Sequence, residues 1–366
     1  MIVTEPQIGL DGSSPQMSDT VPSSFTEAEY LAANPDVARA VADGHIASGR
    51  LHYERYGIFE NRALQPGIRA APLPFPVPPG YRPQRRDKIL ANLDLRCLCG
   101  MEIGALTSPL VNRQEGNIFY VDRADTEMLK TWYKGHDRID PERIVDVDGI
   151  WGDRSLRDCV GPDRNFDYAV ASHVIEHIPD VVTWLQEIEQ VLRPGGSLRL
   201  AIPDKRYNFD ILRVETRLHD LLAAFVERLR RPSARMIIEH HSLIRDVDRR
   251  QAWREPLNLD SLQPYTTIQM AVSLARDSVA NQKYHDVHCW VFTPLSFAVL
   301  FHALAMTGLI AFACEFLVDT APETDEFFVG LRLTEDPPAD RAASWLPAVA
   351  ELRTAAEARE RPTHPA

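Results

Sequence analysis

The clearest pattern of apolar and polar positions runs over Phe166–Pro203. Phe166–Ser172 is a short apolar run with the length of a buried strand. Asp180 stands where a helix N-cap belongs, and Val181, Trp184, Leu185, Ile188, Val191 and Leu192 then recur on one helical face. Arg193-Pro194-Gly195-Gly196 ends that helix in a turn, and Ser197–Ile202 is a second strand stopped by Pro203. Strand, helix and strand at this spacing predict a right-handed parallel crossover. Ligands of open parallel sheets lie beyond the carboxyl ends of the strands. That places Ser172, His173, Glu176 and His177 at one such end and Asp204, Lys205 and Arg206 at the next.

The remaining pattern extends this unit in both directions. Leu95–Ile103 reads as a first strand, Asn117–Val121 as a second and Arg143–Val147 as a third, with a helix at Thr126–Tyr133. About a dozen residues separate Gly104 from the second strand, which leaves little room for a crossover helix. Residues 206–284 are long for a connection. They hold helical runs at Ile211–Leu229 and Ser261–Ser278 around a polar middle with Glu239-His240-His241, and read as an insertion that lids a substrate site. Tyr284–Trp290 leads back to a helix at Pro294–Thr307 and closing strands at Leu309–Val318 and Phe327–Leu333. Val291–Cys314 carries no charge and is long enough to cross a bilayer. Thr293-Pro294 starts a helix inside it and Gly308 stops one, so no membrane span is expected. The fold class is α/β: a doubly wound, mostly parallel sheet with a helical insertion.

Composition shifts divide the chain further. Residues 1–23 are polar and predicted to be disordered. Residues 24–64 form a small helical module, and 65–86 hold seven prolines, the mark of a semi-rigid linker. The main domain is expected over 87–334, and 335–366 as a tail with one solvated or partner-binding helix at Leu346–Ala358. The 366 residues are 45% apolar, enough for a large core, and the net charge of −12 argues against nucleic acid as a partner. Five cysteines without a CxxC pair, and no basic-then-apolar N-terminus, suggest reduced thiols and a cytoplasmic location.

The segment with Glu176-His177 after one strand and Leu192-Arg193-Pro194-Gly195-Gly196 after the next helix resembles class I S-adenosylmethionine-dependent methyltransferases. The resemblance covers roughly 87–334 and implies a Rossmann-like sheet with antiparallel closing strands. It also implies S-adenosyl-L-methionine as cofactor. Glu102 and Gly104 match the family's acidic-x-Gly opening, whereas Leu106 and Ser108 stand where further glycines belong. Some glycan-associated methyltransferases carry EIGxxxxPL at this point. Residues 24–64 resemble a short bacterial module with a YLAxNPDV…HYxxxGxxExR pattern, found beside glycan-related enzymes. The resemblance implies cofactor contacts from Glu102, Gly104, Ala105, Asp122, Arg123, Asp148, Gly149, Ser172 and His173. Asp122, at a strand end, can accept both ribose hydroxyls.

Methyl transfer to oxygen benefits from a base, and histidine suits that task. His173, His177 and His288 are the candidates, with Glu176, Lys205, Arg206, His241 and His285 as substrate contacts. The expected acceptor is a sugar or other glycan component, with a protein partner for the N-terminal module. In some quinone-pathway methyltransferases of similar outline the acidic and histidine residues of this loop bind a divalent metal. Here His173 replaces one carboxylate of that set, and no metal is assigned. Two other readings remain: a non-catalytic scaffold with this fold, and a zinc peptidase through the H-x-x-E-H match at His173–His177.

Overall fold

The computed structural model describes residues 26–42, 46–53, 84–136 and 139–360. The chain divides into two compact units, Met1–Tyr81 and Arg82–Ala366. In the first, α1 (Glu27–Ala33), α2 (Pro35–Ala42) and the single turn α3 (Gly49–His52) surround the buried Tyr30. The Tyr30 hydroxyl meets His52 Nδ1 at 3.0 Å, and the Glu27 carboxylate accepts the Gly49 and Arg50 N–H groups at the start of α3. The expected disorder of 1–23, the Tyr56–Arg62 half of the module pattern and the linker as far as residue 83 lie outside the described residues.

The second unit is built on one seven-stranded sheet in the order β3-β2-β1-β4-β5-β7-β6. Its strands are β1 (Cys99–Ile103), β2 (Asn117–Asp122), β3 (Gly149–Ile150), β4 (Phe166–Ser172), β5 (Leu192–Pro203), β6 (Phe312–Val318) and β7 (Glu326–Leu333). The first five pair in parallel, and β7 runs antiparallel between β5 and β6. This is the doubly wound, mostly parallel sheet the sequence predicts. Strand β4 shows why both faces must be covered. Ala169 and Ala171 join one core cluster, while Tyr168 and Val170 join another on the opposite face.

The third strand differs from expectation. Residues 143–147 do not pair in the sheet; Pro141–Arg143 is a 3₁₀ turn and Val145 N–H donates to Leu106 O of the β1–β2 loop. Pairing begins only at Gly149, where an added Cβ would come within 2.7 Å of Cys159 Sγ. The packing there admits no side chain, so the close approach of β3 to its neighbours selects glycine. The first strand is also shorter than predicted, so Cys97 lies outside it. No helix lies between β1 and β2, as their short separation requires.

Helix α4 (Arg85–Ile89) takes up the end of the predicted linker and packs Ile89 on the Tyr168 face of the sheet. Helices α5 (Thr126–Trp132), α6 (Leu156–Val160) and α7 (Val181–Val191) follow β2, β3 and β4. Asp180 caps α7 by accepting the Thr183 N–H, and Val181, Trp184, Leu185, Ile188 and Val191 face the core. The insertion contains four helices rather than the two runs predicted: α8 (Leu218–Glu227), α9 (Ala234–Leu243), α10 (Arg249–Arg254) and α11 (Ile268–Asn281). The polar middle is thus itself helical, and His240 is its buried residue. Helix α12 (Pro294–Met306) starts at the Thr293 cap, and no helix among the described residues is long and apolar enough to cross a membrane.

The tail is not a free helix. Following α13 (Pro338–Ala343), Trp345 is fully buried against Phe297 and Phe301 of α12. Val349 and Leu352 of α14 (Leu346–Glu360) join the same cluster. Trp345→Ala is expected to lower unfolding free energy by about 3–5 kcal/mol in urea titrations. Leu346→Ala, at a side chain 51% exposed, should stay within about 0.5 kcal/mol.

Candidate functional site

The carboxyl ends of β1, β2 and β4, with the residues just after β3, enclose a cavity of about 630 Å³. They supply Ile103 and Gly104, Asp122 and Arg123, His173 and Val174, and Trp151 and Gly152. The order of strands puts it there: β1 leads outward to β2 and β3, β4 leads the other way to β5, and the crevice opens where the direction reverses.

Gly104 turns the chain at φ 71°, and an added Cβ would meet Val174 Cγ2 at 3.0 Å. Leu106 adopts the same left-handed region at φ 47°, although it carries a side chain. Such a conformation costs about 1–3 kcal/mol and persists when its surroundings hold it. Leu106 O accepts the Val145 N–H and its side chain packs beside Leu129. Thus the loop reaches a glycine-like backbone without the glycine.

Asp122 sits at the tip of β2 on the cavity wall. Burial pushes its carboxyl up to about 6, and the Arg123 N–H, donating to it at 2.7 Å, only partly opposes this. The Arg123 guanidinium lies over the Tyr284 ring at 3.1 Å, joining the β2 tip to the return of the insertion. Trp132, Tyr133 and Trp151 add aromatic surface to the same cavity. Bare backbone at Gly104, the Asp122 carboxylate and this aromatic wall fit a nucleoside with a polar tail. Sequence reasoning did not pick out the aromatic residues, because an aromatic on a short helix or after a short strand reads as core.

The histidines form two sets. His173, at φ 54°, lines the cavity and places Nε2 3.0 Å from Glu326 Oε2 on β7. Glu326 is gripped in turn by Arg85 Nε at 2.7 Å, and the other arm of Arg85 bonds Ser172 Oγ. His177 also lines the cavity, with Nδ1 3.0 Å from Asp286 Oδ1. Burial alone would lower its pKa, but Asp286 and Glu176 outweigh that and raise it to about 9. His288 is buried behind it, its ring 4.7 Å from that of His177 and nearly perpendicular.

His288 Nδ1 lies 2.5 Å from Asp210 Oδ2, and Arg213 holds the other oxygen of Asp210 at 3.0 Å. Burial would raise the Asp210 carboxyl, yet His288 and Arg213 hold it below its ordinary value. His240 accepts the His288 N–H through Nδ1, and burial lowers its pKa to about 3. Glu176 is 0% exposed, and neither of its carboxylate oxygens has a hydrogen-bond partner among the described residues. Glu176, His177 and His288 each bring one ligand-type atom within 4.8 Å of the others.

Other predicted site residues are placed elsewhere. Glu102 faces away from the cavity and accepts the Leu110 and Val111 N–H groups, which shapes the β1–β2 loop. Ala105 packs in the cluster on the opposite face of the sheet. Asp148 accepts the Tyr120 N–H and pairs with Arg113, and Gly149 is a strand residue, so neither lines the cavity. Lys205 donates to Ile211 O and Arg206 is doubly bonded to Asp204, so their charges are taken up inside the chain. His285 bonds Asp277, and His241 packs edge-on to His240; neither reaches the cavity wall. The zinc-peptidase reading fails on geometry. It needs both histidines on one helix, but His173 follows a strand at positive φ and Ile175–His177 is a single 3₁₀ turn. Glu326, Arg85 and Asp210 were not anticipated, since only the pairing of distant segments brings them to the histidines.

A family model described as a methyltransferase domain matches residues 106–304. The human mitochondrial ubiquinone biosynthesis O-methyltransferase is 34% identical over 128 residues, covering 35% of this chain and 32% of that protein. The Bos taurus enzyme of the same description is 33% identical over 117 residues, covering 30% of each. The chain thus spans about a third of the length of the curated relatives it matches. An S-adenosylmethionine-dependent methyltransferase from Mesorhizobium loti, of known structure, aligns at 15% identity and a TM-score of 0.33, over 66% of this chain and 93% of that one. The family match takes in more than half of the 366 residues, and the chain belongs to the methyltransferase domain family, whose enzymes use S-adenosylmethionine.

Proposed function

We propose that the protein methylates a hydroxyl oxygen of a small ring-bearing acceptor, with a sugar or glycan component as the first class to test. The observation that carries this reading is the cavity at the strand tips, where Gly104, Asp122 and His173 face one space. S-adenosylmethionine supplies a methyl group already activated by its sulfonium charge. What remains for the chain is to bind, orient and deprotonate. The Gly104–Leu106 backbone receives the amino acid end, Asp122 accepts the ribose hydroxyls, and Trp132, Tyr133 and Trp151 flank the base.

His173 takes the acceptor proton. Glu326 fixes its Nε2 and Arg85 fixes Glu326, so Nδ1 is the nitrogen left to act. The pair holds the ring in one orientation, which is what a general base requires. A sugar acceptor is supported by the likeness of the N-terminal module to those beside glycan-related enzymes. That module is proposed to dock a protein partner. A second reading, an acceptor of the kind methylated in ubiquinone biosynthesis, for which phenols serve as test compounds, is favoured by the names of the curated relatives and by the apolar side chains of Val174 and Ile178 in the cavity.

The acceptor classes are separated by incubating the protein with labelled S-adenosylmethionine and panels of saccharides and phenols. Label in saccharides upholds the first reading, and label only in phenols replaces it with the second. His173→Ala should lower kcat by about 10²–10⁴-fold while S-adenosylhomocysteine affinity in calorimetry stays within about threefold. Loss of affinity without loss of turnover would assign His173 to binding instead. The ionised Asp122 is the form that accepts two hydroxyls. Cofactor affinity should therefore hold above pH 7 and weaken as pH falls through about 6. Asp122→Asn should bind about tenfold more weakly, at the scale of one charge-assisted hydrogen bond, and lose that pH dependence.

A further inference from the structure

We infer that the acceptor carries an anionic oxygen group, a carboxylate or a phosphate, and that the Arg123 side chain recognises it with help from Lys283. This rests on the proposed function only in that the acceptor shares the cavity with the cofactor. Three observations carry it.

The first is the state of the Arg123 guanidinium. It lines the cavity and lies over the Tyr284 ring at 3.1 Å, so one of its faces is occupied. Its backbone N–H donates to Asp122, but its side-chain nitrogens have no hydrogen bond and no carboxylate partner among the described residues. A guanidinium offers its donors in a planar fork, and the edge of that fork matches two oxygens of a carboxylate or phosphate. Here the face is used and the edge is not. Other cations near the strand tips are committed: Arg230 to Glu187 at 3.2 Å, Arg206 to Asp204, and Lys205 to Ile211 O. The anion grip that the sequence suggests at Lys205 and Arg206 thus belongs to a different strand tip.

The second is that Arg123 is held without a counter-charge of its own. The Tyr284 hydroxyl donates to Asp286 Oδ1 at 3.0 Å, and the same oxygen meets His177 Nδ1 at 3.0 Å. The stack is therefore fixed at both ends, by the tip of β2 and by this chain of side chains from the return of the insertion. A side chain already ordered loses less freedom when a ligand arrives.

The third is Lys283, which lines the same cavity and precedes Tyr284 in the chain. Its Nζ lies 3.4 Å from Asp277 Oδ2, an oxygen that His285 Nε2 already meets at 2.9 Å. The Lys283 side chain is 62% exposed, and its flexible stem lets the ammonium turn to an anion on the cavity side.

The anion is not the cofactor's. S-adenosylmethionine has its carboxylate at the amino acid end, proposed to lie at Gly104–Leu106, whereas Arg123 follows the ribose-binding Asp122 at the tip of β2. Its sulfonium is a cation and gains nothing from a guanidinium. The second substrate must bring the negative charge. A neutral sugar would cover the Arg123 fork without pairing it, so the same group discriminates against acceptors that lack an anion.

The test uses the full-length protein saturated with S-adenosylhomocysteine and titrated by calorimetry with glucuronate, glucose-6-phosphate and glucose. At least one anionic sugar should bind about tenfold or more tighter than glucose, and which one does so distinguishes carboxylate from phosphate. Arg123→Ala should weaken that sugar about 10–100-fold and Arg123→Lys, which keeps the charge without the fork, about tenfold. Lys283→Ala should cost about three- to tenfold, Arg230→Ala less than about threefold, and S-adenosylhomocysteine affinity should stay within about threefold throughout.

Equal binding of glucose, no binding of either anionic sugar by protein that binds S-adenosylhomocysteine, or wild-type anion affinity in Arg123→Ala would each overturn the inference. So would a parallel loss of S-adenosylhomocysteine affinity in Arg123→Lys, which would make Arg123 a cofactor contact. If Arg123→Ala does not fold, Arg123→Lys decides alone. Methyl transfer is followed separately with labelled S-adenosylmethionine. An anionic sugar that binds through Arg123 but takes no label upholds the anion site and counts against the proposed sugar acceptor.

Discussion

The structure depends on β4 lying hydrogen-bonded between β1 and β5. Parallel strands in this arrangement end together, so Gly104, Asp122 and His173 emerge on one side although many residues separate them in sequence. The strand is buried on both faces, and its alternate side chains lock it to two different clusters. A shift of one residue would exchange those clusters and move the polar tip of the strand away from the cavity. Packing of the apolar interior therefore sets the position of the polar groups at its edge.

Around that edge, charge is balanced locally rather than by solvent. His173, His177 and His288 each have a carboxylate on one ring nitrogen, and the carboxylates have partners of their own: Arg85 for Glu326, Tyr284 for Asp286 and Arg213 for Asp210. Such chains cost side-chain entropy and desolvation but remove rotational freedom from the imidazoles. Glu176 stands apart from the pattern, since its Oε1 lies 3.7 and 4.0 Å from nitrogens of His173 and His177 and neither of its oxygens has a hydrogen-bond partner among the described residues. The insertion is part of this balance and not only a cover, because Asp210 and Arg213 come from it.

The loop after β1 takes a glycine-like backbone at a residue that carries a side chain. Gly104 and Leu106 both occupy the left-handed region, though only one is glycine. Glu102 holds the loop by accepting the Leu110 and Val111 N–H groups. The carboxyl is pushed up to about 7, chiefly by burial, with those two hydrogen bonds opposing. Its work lies beneath the loop, which explains how an acidic residue two places before a glycine can matter without touching a ligand.

The sequence alone determined the strand–helix–strand unit at Phe166–Pro203, the Asp180 cap, the short β1–β2 connection and the existence of the two closing strands. Each rests on local periodicity, capping or chain length, which neighbouring residues fix by themselves. It also placed Asp122, His173 and His177 at strand ends, and so at the cavity. Only the tertiary structure decided that Lys205 and Arg206 are consumed by internal bonds, that Trp345 joins the core, and that Asp148 supports β2. It alone brought Glu326, Arg85, Asp210 and His288 to the histidines. These depend on which distant segments meet, and that is settled by how the chain buries its apolar surface as a whole.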